Sequence, residues 1–328
     1  WPSTTDNDNA IKNPSISFED KTLQTAKVEP APYDINRPFK ISGGFAGVYK
    51  LNVNGQHMAV RCYTQFPHGV DNQRILNQFI SDNKLKFMIN CSLQNMLIEN
   101  STSLMTGRYP IMVCPWIKGK TLDEFIGKKD NLDRNIFMSN KQNILKIANN
   151  FALVVNKMEE LKIAHGDLQP ANIMIENDLS IKLIDYDGVF IPAFRGQKSE
   201  EIGLAQFQHP QREKQKPFDE TMDRFSSICI YLSLLVIADD PKIWVDLHDD
   251  KDLIFKKEDF GWKRNTNNEL VFDPVILTTE TWKRVNKTND KTIQNLISEF
   301  RKCCGENNLK SIPSLREILR RCQITLQP

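Results

Sequence analysis

No apolar run in this sequence is long enough to cross a membrane. The longest, ICIYLSLLVIA at residues 228–238, is about half the roughly 20 residues that a span needs and predicts a buried core helix. Neither sign of charge is in excess. Lys and Arg number 43 against 41 Asp and Glu, a formal charge of +2, so the balance gives no reason to expect nucleic acid or a membrane surface as partner. No CxxC pair occurs. The seven cysteines (Cys62, Cys91, Cys114, Cys229, Cys303, Cys304, Cys322) are odd in number and several sit in apolar runs. That pattern predicts reduced, buried thiols, with neither a disulfide framework nor a zinc site. Signal-peptide and lipidation motifs are also missing, as are internal repeats. The expectation is a cytoplasmic protein. The sequence starts at Trp1, not Met, and we expect a piece of a longer chain.

What is present is ordinary globular material: 40% hydrophobic and 26% charged residues in 328 positions, enough for one large domain or two lobes. Residues 1–17 are polar and aperiodic and read as a mobile leader. From Phe18 the pattern is ordered. RPFKISGGFAGVYKLNVNGQHMAVRCYT alternates like antiparallel strands, with Asn54-Gly55 as a hairpin turn. VDNQRILNQFISDN is a candidate helix with Ile75, Phe79 and Ile80 on one side. YPIMVCPWI at 109–117 is a short apolar strand. A helical stripe then runs through Ile144, Ile147, Phe151, Val154, Met158 and Leu161. Two short strands, NIMIE and IKLIDY, follow, joined by NDLS, and the remainder is mostly helical. The charged run HDDKDLIFKKEDF at 248–260 reads as a solvated insert. The fold class is α+β: a small β-rich lobe over 18–117 and a larger helical lobe over 118–328.

The chemistry concentrates in HGDLQPANIMI (165–175) and IKLIDYDG (181–188). Asn172 opens one short strand and Asp185 ends the next, so the two can converge on one point. A carboxylate and an amide oxygen suit Mg²⁺, which also takes phosphate oxygens and water. Asp167 lies in the loop before them, where it could orient a hydroxyl or accept its proton. Phosphoryl transfer requires these parts, together with cationic help for the phosphates.

These two stretches resemble the catalytic loop and the metal-binding loop of the protein-kinase superfamily. SGGFAGVYK resembles its glycine-rich loop, MAVRCY its lysine-bearing strand, YPIMVCPWIKGKTLDEFI its hinge, and DRFSSICIYLSLL its buried helix. The resemblance implies a bilobal kinase-like fold that uses ATP and Mg²⁺. It implies Asp167 as catalytic aspartate with Gln169 and Asn172 beside it, and Asn172 and Asp185 as metal ligands. Asp223 would brace the loop, and His165 is a scaffold residue. For the nucleotide it implies Gly43 with the adjoining Gly44, Val48, Arg61, Cys114 in the gatekeeper place, and backbone groups of Pro115 and Ile117. A narrower resemblance, on HGDLQ, LIDYDG, QHPQR, DRFS and HDDKDLIFKKEDF, is to a divergent bacterial group of serine/threonine kinase-like proteins. That kinship implies a protein substrate or regulated partner, with a metal-dependent phosphatase in view.

Several positions depart from the superfamily. Arg61 replaces a lysine, and the two cations differ in shape and hydration. No glutamate occurs in 69–84, where the lysine's partner is expected. Gln169 replaces a lysine, Gly166 an arginine that reads a phosphorylated segment, and Asp187 a glycine. Gln211 and Ile312 stand where a buried Glu–Arg pair is usual; losing both ends leaves no charge unpaired. Three functions stay open on these residues: an active Ser/Thr kinase, a pseudokinase that binds nucleotide as a scaffold, and a small-molecule phosphotransferase.

Overall fold

The computed structural model describes residues 1–67, 72–99, 106–127, 141–199, 201–249 and 251–327. Residues 70–71 of the candidate helix stretch and Asp250 of the charged run lie outside them. The chain divides into two compact units, Trp1–Ile117 and Lys118–Pro328.

The first unit is built on an antiparallel sheet. Its strands are β1 (Lys27–Val28), β4 (Lys40–Ser42), β5 (Ala46–Val53), β6 (Gln56–Tyr63), β7 (Ser92–Ile98) and β8 (Gly107–Pro115), in the order β1-β5-β6-β8-β7 with β4 also on β5. A small hairpin of β2 (Pro30–Ala31) and β3 (Asp34–Pro38) stands beside it. Asn54 and Gly55 both take positive φ, 52° and 86°, the geometry that a two-residue hairpin turn demands. Alternation along β5 and β6 sends Tyr49, Leu51, Val60 and Cys62 into one buried cluster and Ala46 and Tyr63 into a second.

Residues 1–17 differ from the mobile leader expected of them. They form α1 (Thr4–Lys12) and α2 (Pro14–Ser17), followed by α3 (Lys21–Gln24). Ser3 and Asp6 make a reciprocal capping box at the start of α1, which satisfies two otherwise orphaned amides. Asp8 accepts from Lys40 Nζ at 2.8 Å and from the Tyr49 hydroxyl at 2.6 Å. Ala10, Ile11, Phe18 and Leu23 join the cluster on that sheet face. Few apolar residues interrupt the polar composition, but they are the ones that cover the sheet.

Helix α4 (Gln73–Asp82) buries Gln73, Leu76 and Ile80. Ile75 is exposed instead, so the buried side of this helix is rotated from the one expected. The cysteines also depart from expectation: Cys91 and Cys114 form a disulfide across β7 and β8. Ser92 pairs with Val113 in that ladder, so the next positions, 91 and 114, face each other. Odd cysteine count and lack of spacing motifs say nothing about strand register, which is what brings these two together. The other five cysteines are free and buried.

The second unit is mostly helical. A three-stranded sheet orders β9 (Gly119–Thr121), β10 (Ile173–Glu176) and β11 (Ile181–Leu183) as β11-β10-β9, with α5 (Leu122–Ile126) between β9 and the long helix α6 (Lys141–Glu160). The buried stripe of α6 runs through Ile144, Ile147, Phe151, Val155 and Met158. Helix α7 (Arg224–Asp239) packs on α6 and is buried nearly all round, as its continuous apolar run predicts. Helices α8 (Lys291–Cys304) and α9 (Leu315–Arg321) complete the core around it. The charged run at 248–260 is not a solvated insert. Leu253, Ile254, Phe255 and Phe260 are buried. Asp252 and Asp259 are buried too, and accept from the backbone amides of Asp249 and Lys256. Its carboxylates close turns, and its apolar residues anchor the segment.

Candidate active site

The β10–β11 hairpin explains how Asn172 and Asp185 reach one end of the second unit. Ile173 pairs with Leu183, and the Ile184 amide donates to the Asn172 carbonyl at 3.1 Å. The two side chains therefore leave the hairpin at the same end. Asp185 has φ of 66°, the left-handed region that aspartate adopts more readily than most non-glycine residues. Both Asp185 and Asp187 are exposed.

Asp167 lies beside Asn172. The Asn172 amide nitrogen donates to the Asp167 carbonyl and to its carboxylate Oδ2, each at 2.9 Å. Gln169 Nε2 donates to the same Oδ2 at 2.5 Å. On the other oxygen, the Leu204 amide donates to Oδ1 at 2.9 Å. An ionised carboxylate offers about four acceptor positions; three are filled, and Oδ1 keeps one. Both hydrogens of the Asn172 amide are committed, which leaves its oxygen as the group available to a cation.

Beneath Asp167 the chain is gripped by buried groups. Asp223 accepts from the backbone amides of His165 and Gly166. His165 Nε2 donates to the Ile184 carbonyl at 2.9 Å, and its ring meets Tyr186 edge-on, which fits a scaffold role. Arg212 is 3% exposed. Its guanidinium donates to the carbonyls of Met222 (3.0 Å) and Gly166 (3.1 Å). Burial pushes the Asp223 carboxyl up, opposed by His165, by the two amides and by Arg212. Burial pulls the Arg212 guanidinium down, opposed by Asp223, Glu201, Asp167 and Asp219. Gln211 and Ile312, in the places of the usual Glu–Arg pair, are both buried, and Arg224 donates to the Ile312 carbonyl while pairing with Glu159 at 2.9 Å.

The remaining expected residues lie in the first unit. Gly43, Gly44 and Phe45 form the tip of the β4–β5 hairpin, closed by a 2.9 Å bond from the Gly43 amide to the Ala46 carbonyl. Val48 faces Ile41 across it. Arg61 pairs with Val48 on one side and Met112 on the other, and its guanidinium lies 5.3 Å from the Tyr63 ring centre. Cys114 and Pro115 end β8 opposite Ala59 and Met58, and Ile117 closes the unit. On α4, amides stand where an acidic partner was missing. Gln73 donates to Asn77, and Asn77 exchanges hydrogen bonds with the Cys91 backbone.

Leu204 was invisible to sequence reasoning as a site residue, because it contributes only a backbone amide. The signal for Arg212 was there in two parts: an arginine missing at Gly166 and one present after Gln211.

A β-rich unit followed by a helical unit, with an Asp–Asn pair and a hairpin-borne aspartate at one end of the latter, defines a kinase-type phosphotransferase architecture. The family model described as "Protein kinase domain" matches residues 42–320, and the chain belongs to that family. It is 26% identical over 200 residues to a G-type lectin S-receptor-like serine/threonine-protein kinase of Arabidopsis thaliana, covering 59% of this chain and 22% of the relative. It is 25% identical over 203 residues to a dual specificity protein kinase of Dictyostelium discoideum (61% and 30%). A cysteine-rich receptor-like protein kinase of Arabidopsis thaliana is 27% identical over 176 residues (52% and 24%). The matched part thus spans less than a third of each relative's length. Among the described residues no helix is long and apolar enough to cross a membrane.

Proposed function

We propose that this domain binds ATP with Mg²⁺ and transfers the γ-phosphoryl group to a serine or threonine hydroxyl of a protein. The observation that carries this reading is the state of Asp167. Three donors fix its carboxylate, and Oδ1 retains one acceptor position for a substrate hydroxyl. A fixed acceptor contributes through orientation, which is most of what phosphoryl transfer asks of a protein. Asn172 and Asp185 would hold Mg²⁺, which neutralises phosphate charge; their oxygen donors fit a hard cation that keeps water and phosphate in its shell. Asp167 takes the hydroxyl proton as the hydroxyl oxygen bonds to the γ-phosphorus and the bond from that phosphorus to the bridging oxygen breaks, releasing ADP. Gln169 contributes by aiming Asp167, without the cation that a lysine brings. Arg61 is the phosphate-contacting cation of the first unit, with Gly43, Gly44 and Val48 on the nucleotide and Cys114, Pro115 and Ile117 on its base. The narrower resemblance to bacterial kinase-like proteins supports a metal-dependent phosphatase as the regulated partner.

The test is ³²P incorporation from ATP into protein, wild type against Asp167→Ala. Transfer that needs Mg²⁺ and is lost in the variant is the expected result; equal incorporation overturns the reading.

A pseudokinase is the second reading. It is favoured by Gln169, which is spent on Asp167, and by amides in place of an acidic partner on α4. Stabilisation by ATP and Mg²⁺ without transfer to any partner protein is its signature.

A further inference from the structure

Arg212 and Asp223 hold opposite ends of one residue. Asp223 Oδ1 accepts from the Gly166 amide at 2.9 Å, and Arg212 donates to the Gly166 carbonyl at 3.1 Å. That carbonyl belongs to the peptide bond that joins Gly166 to Asp167. Gly166 has φ of 85° and no side chain to restrict it, so by itself this peptide plane is free to rotate. A side chain is ruled out at this position, because an added Cβ would overlap the Gly188 carbonyl, 2.9 Å from its carbon. The loop therefore cannot carry its own arginine. The cation arrives instead from residue 212, at the end of the segment that also supplies the Leu204 amide to Asp167. Arg212 is anchored independently by the Met222 carbonyl.

We infer that Arg212 is a positioning residue for phosphoryl transfer: by fixing the Gly166–Asp167 peptide plane it aims the Asp167 carboxylate, with no added phosphate required. The inference rests on the proposed kinase reading. It deepens that reading by assigning the aim of Asp167 to a group built into the fold. Planar guanidinium geometry serves both carbonyls at once, a task for which a lysine ammonium is a poor substitute.

The test uses the full chain with Arg212→Met and Arg212→Lys. Amide hydrogen exchange over residues 163–172 reports the loop whether or not transfer occurs, and initial rates report the aim of Asp167. In the Met variant, exchange at 163–172 is expected to rise about tenfold or more while α6 and α7 keep wild-type protection. Turnover is expected to fall about 100-fold with the KM for ATP within about twofold of wild type, and the Lys variant to recover part of both losses. Wild-type exchange over 163–172 in a folded Met variant overturns the inference. If the Met variant does not fold, the Lys variant decides: raised loop exchange at an unchanged melting temperature supports the role, and wild-type exchange overturns it. A wild-type chain that transfers no phosphate sinks the kinase reading, and the exchange measurement still judges Arg212.

Discussion

Asn172 gives both of its amide hydrogens to Asp167, one to the backbone carbonyl and one to the carboxylate. One side chain thus orients the acceptor and keeps its own oxygen out of those two bonds. Asn172→Ala removes both bonds and, on the proposed reading, the oxygen offered to Mg²⁺. Phosphate transfer should drop about 100-fold or more, and the Mg²⁺ dependence of ATP-induced thermal stabilisation should weaken. Stability measured by urea unfolding should fall only by about 1–3 kcal/mol, the cost of unsatisfied buried groups. A variant with wild-type transfer would remove Asn172 from the site.

Glycines in the two loops should differ in tolerance. Gly166→Ala places a Cβ against the Gly188 carbonyl at positive φ, and strain plus overlap should cost about 2–4 kcal/mol. At Gly44 an added Cβ meets nothing within 4 Å, so Gly44→Ala should change stability by less than about 0.5 kcal/mol. Denaturant titration of both variants checks the pair.

The Cys91–Cys114 bond closes a loop with a sequence separation of 23. Alkylation of the unfolded, unreduced chain should label five of the seven cysteines, and all seven after reduction. Reduction should lower stability by about 3 kcal/mol on the loop-entropy account. Seven labels without reductant would show free thiols, the state expected in a reducing compartment.

His209 is buried, and its pKa is lowered to about 4 by that burial. Its Nδ1 accepts from the Gln211 amide and its Nε2 donates to the Cys304 carbonyl, which fixes a neutral ring. A depressed histidine stabilises the fold fully above the unfolded value near 6.5, and that stability is lost as pH falls toward 4, where the unfolded chain alone binds the proton. Unfolding free energy should therefore decline by roughly 3 kcal/mol between pH 7 and pH 4 from this residue. His209→Gln should flatten that part of the profile. An unchanged slope would assign it to other groups.

The kinase-type motifs were legible because their chemistry is local. Asp167, Asn172 and Asp185 fall within one loop and one hairpin, and a two-strand register suffices to bring Asn172 and Asp185 to the same end. The strand alternation of β5 and β6 and the apolar run of α7 were legible for the same reason. The α1 helix was not, since its few apolar residues acquire meaning only against the sheet face they cover. Nor was the register of α4, where an amide, Gln73, occupies a buried position and Ile75 an exposed one. The charged run at 248–260 misled in the opposite sense, because turn-closing carboxylates and solvated ones look alike in a sequence.

The sequence by itself determined the α+β class, and short spacing already put Asp167, Asn172 and Asp185 within one loop and one hairpin. Tertiary structure alone decided what surrounds them. Leu204 reaches Asp167 across 37 positions and Arg212 reaches Gly166 across 46, and Cys91 meets Cys114 through strand register. No local pattern encodes such pairs: each depends on which backbone groups the folded chain leaves buried and in need of a partner.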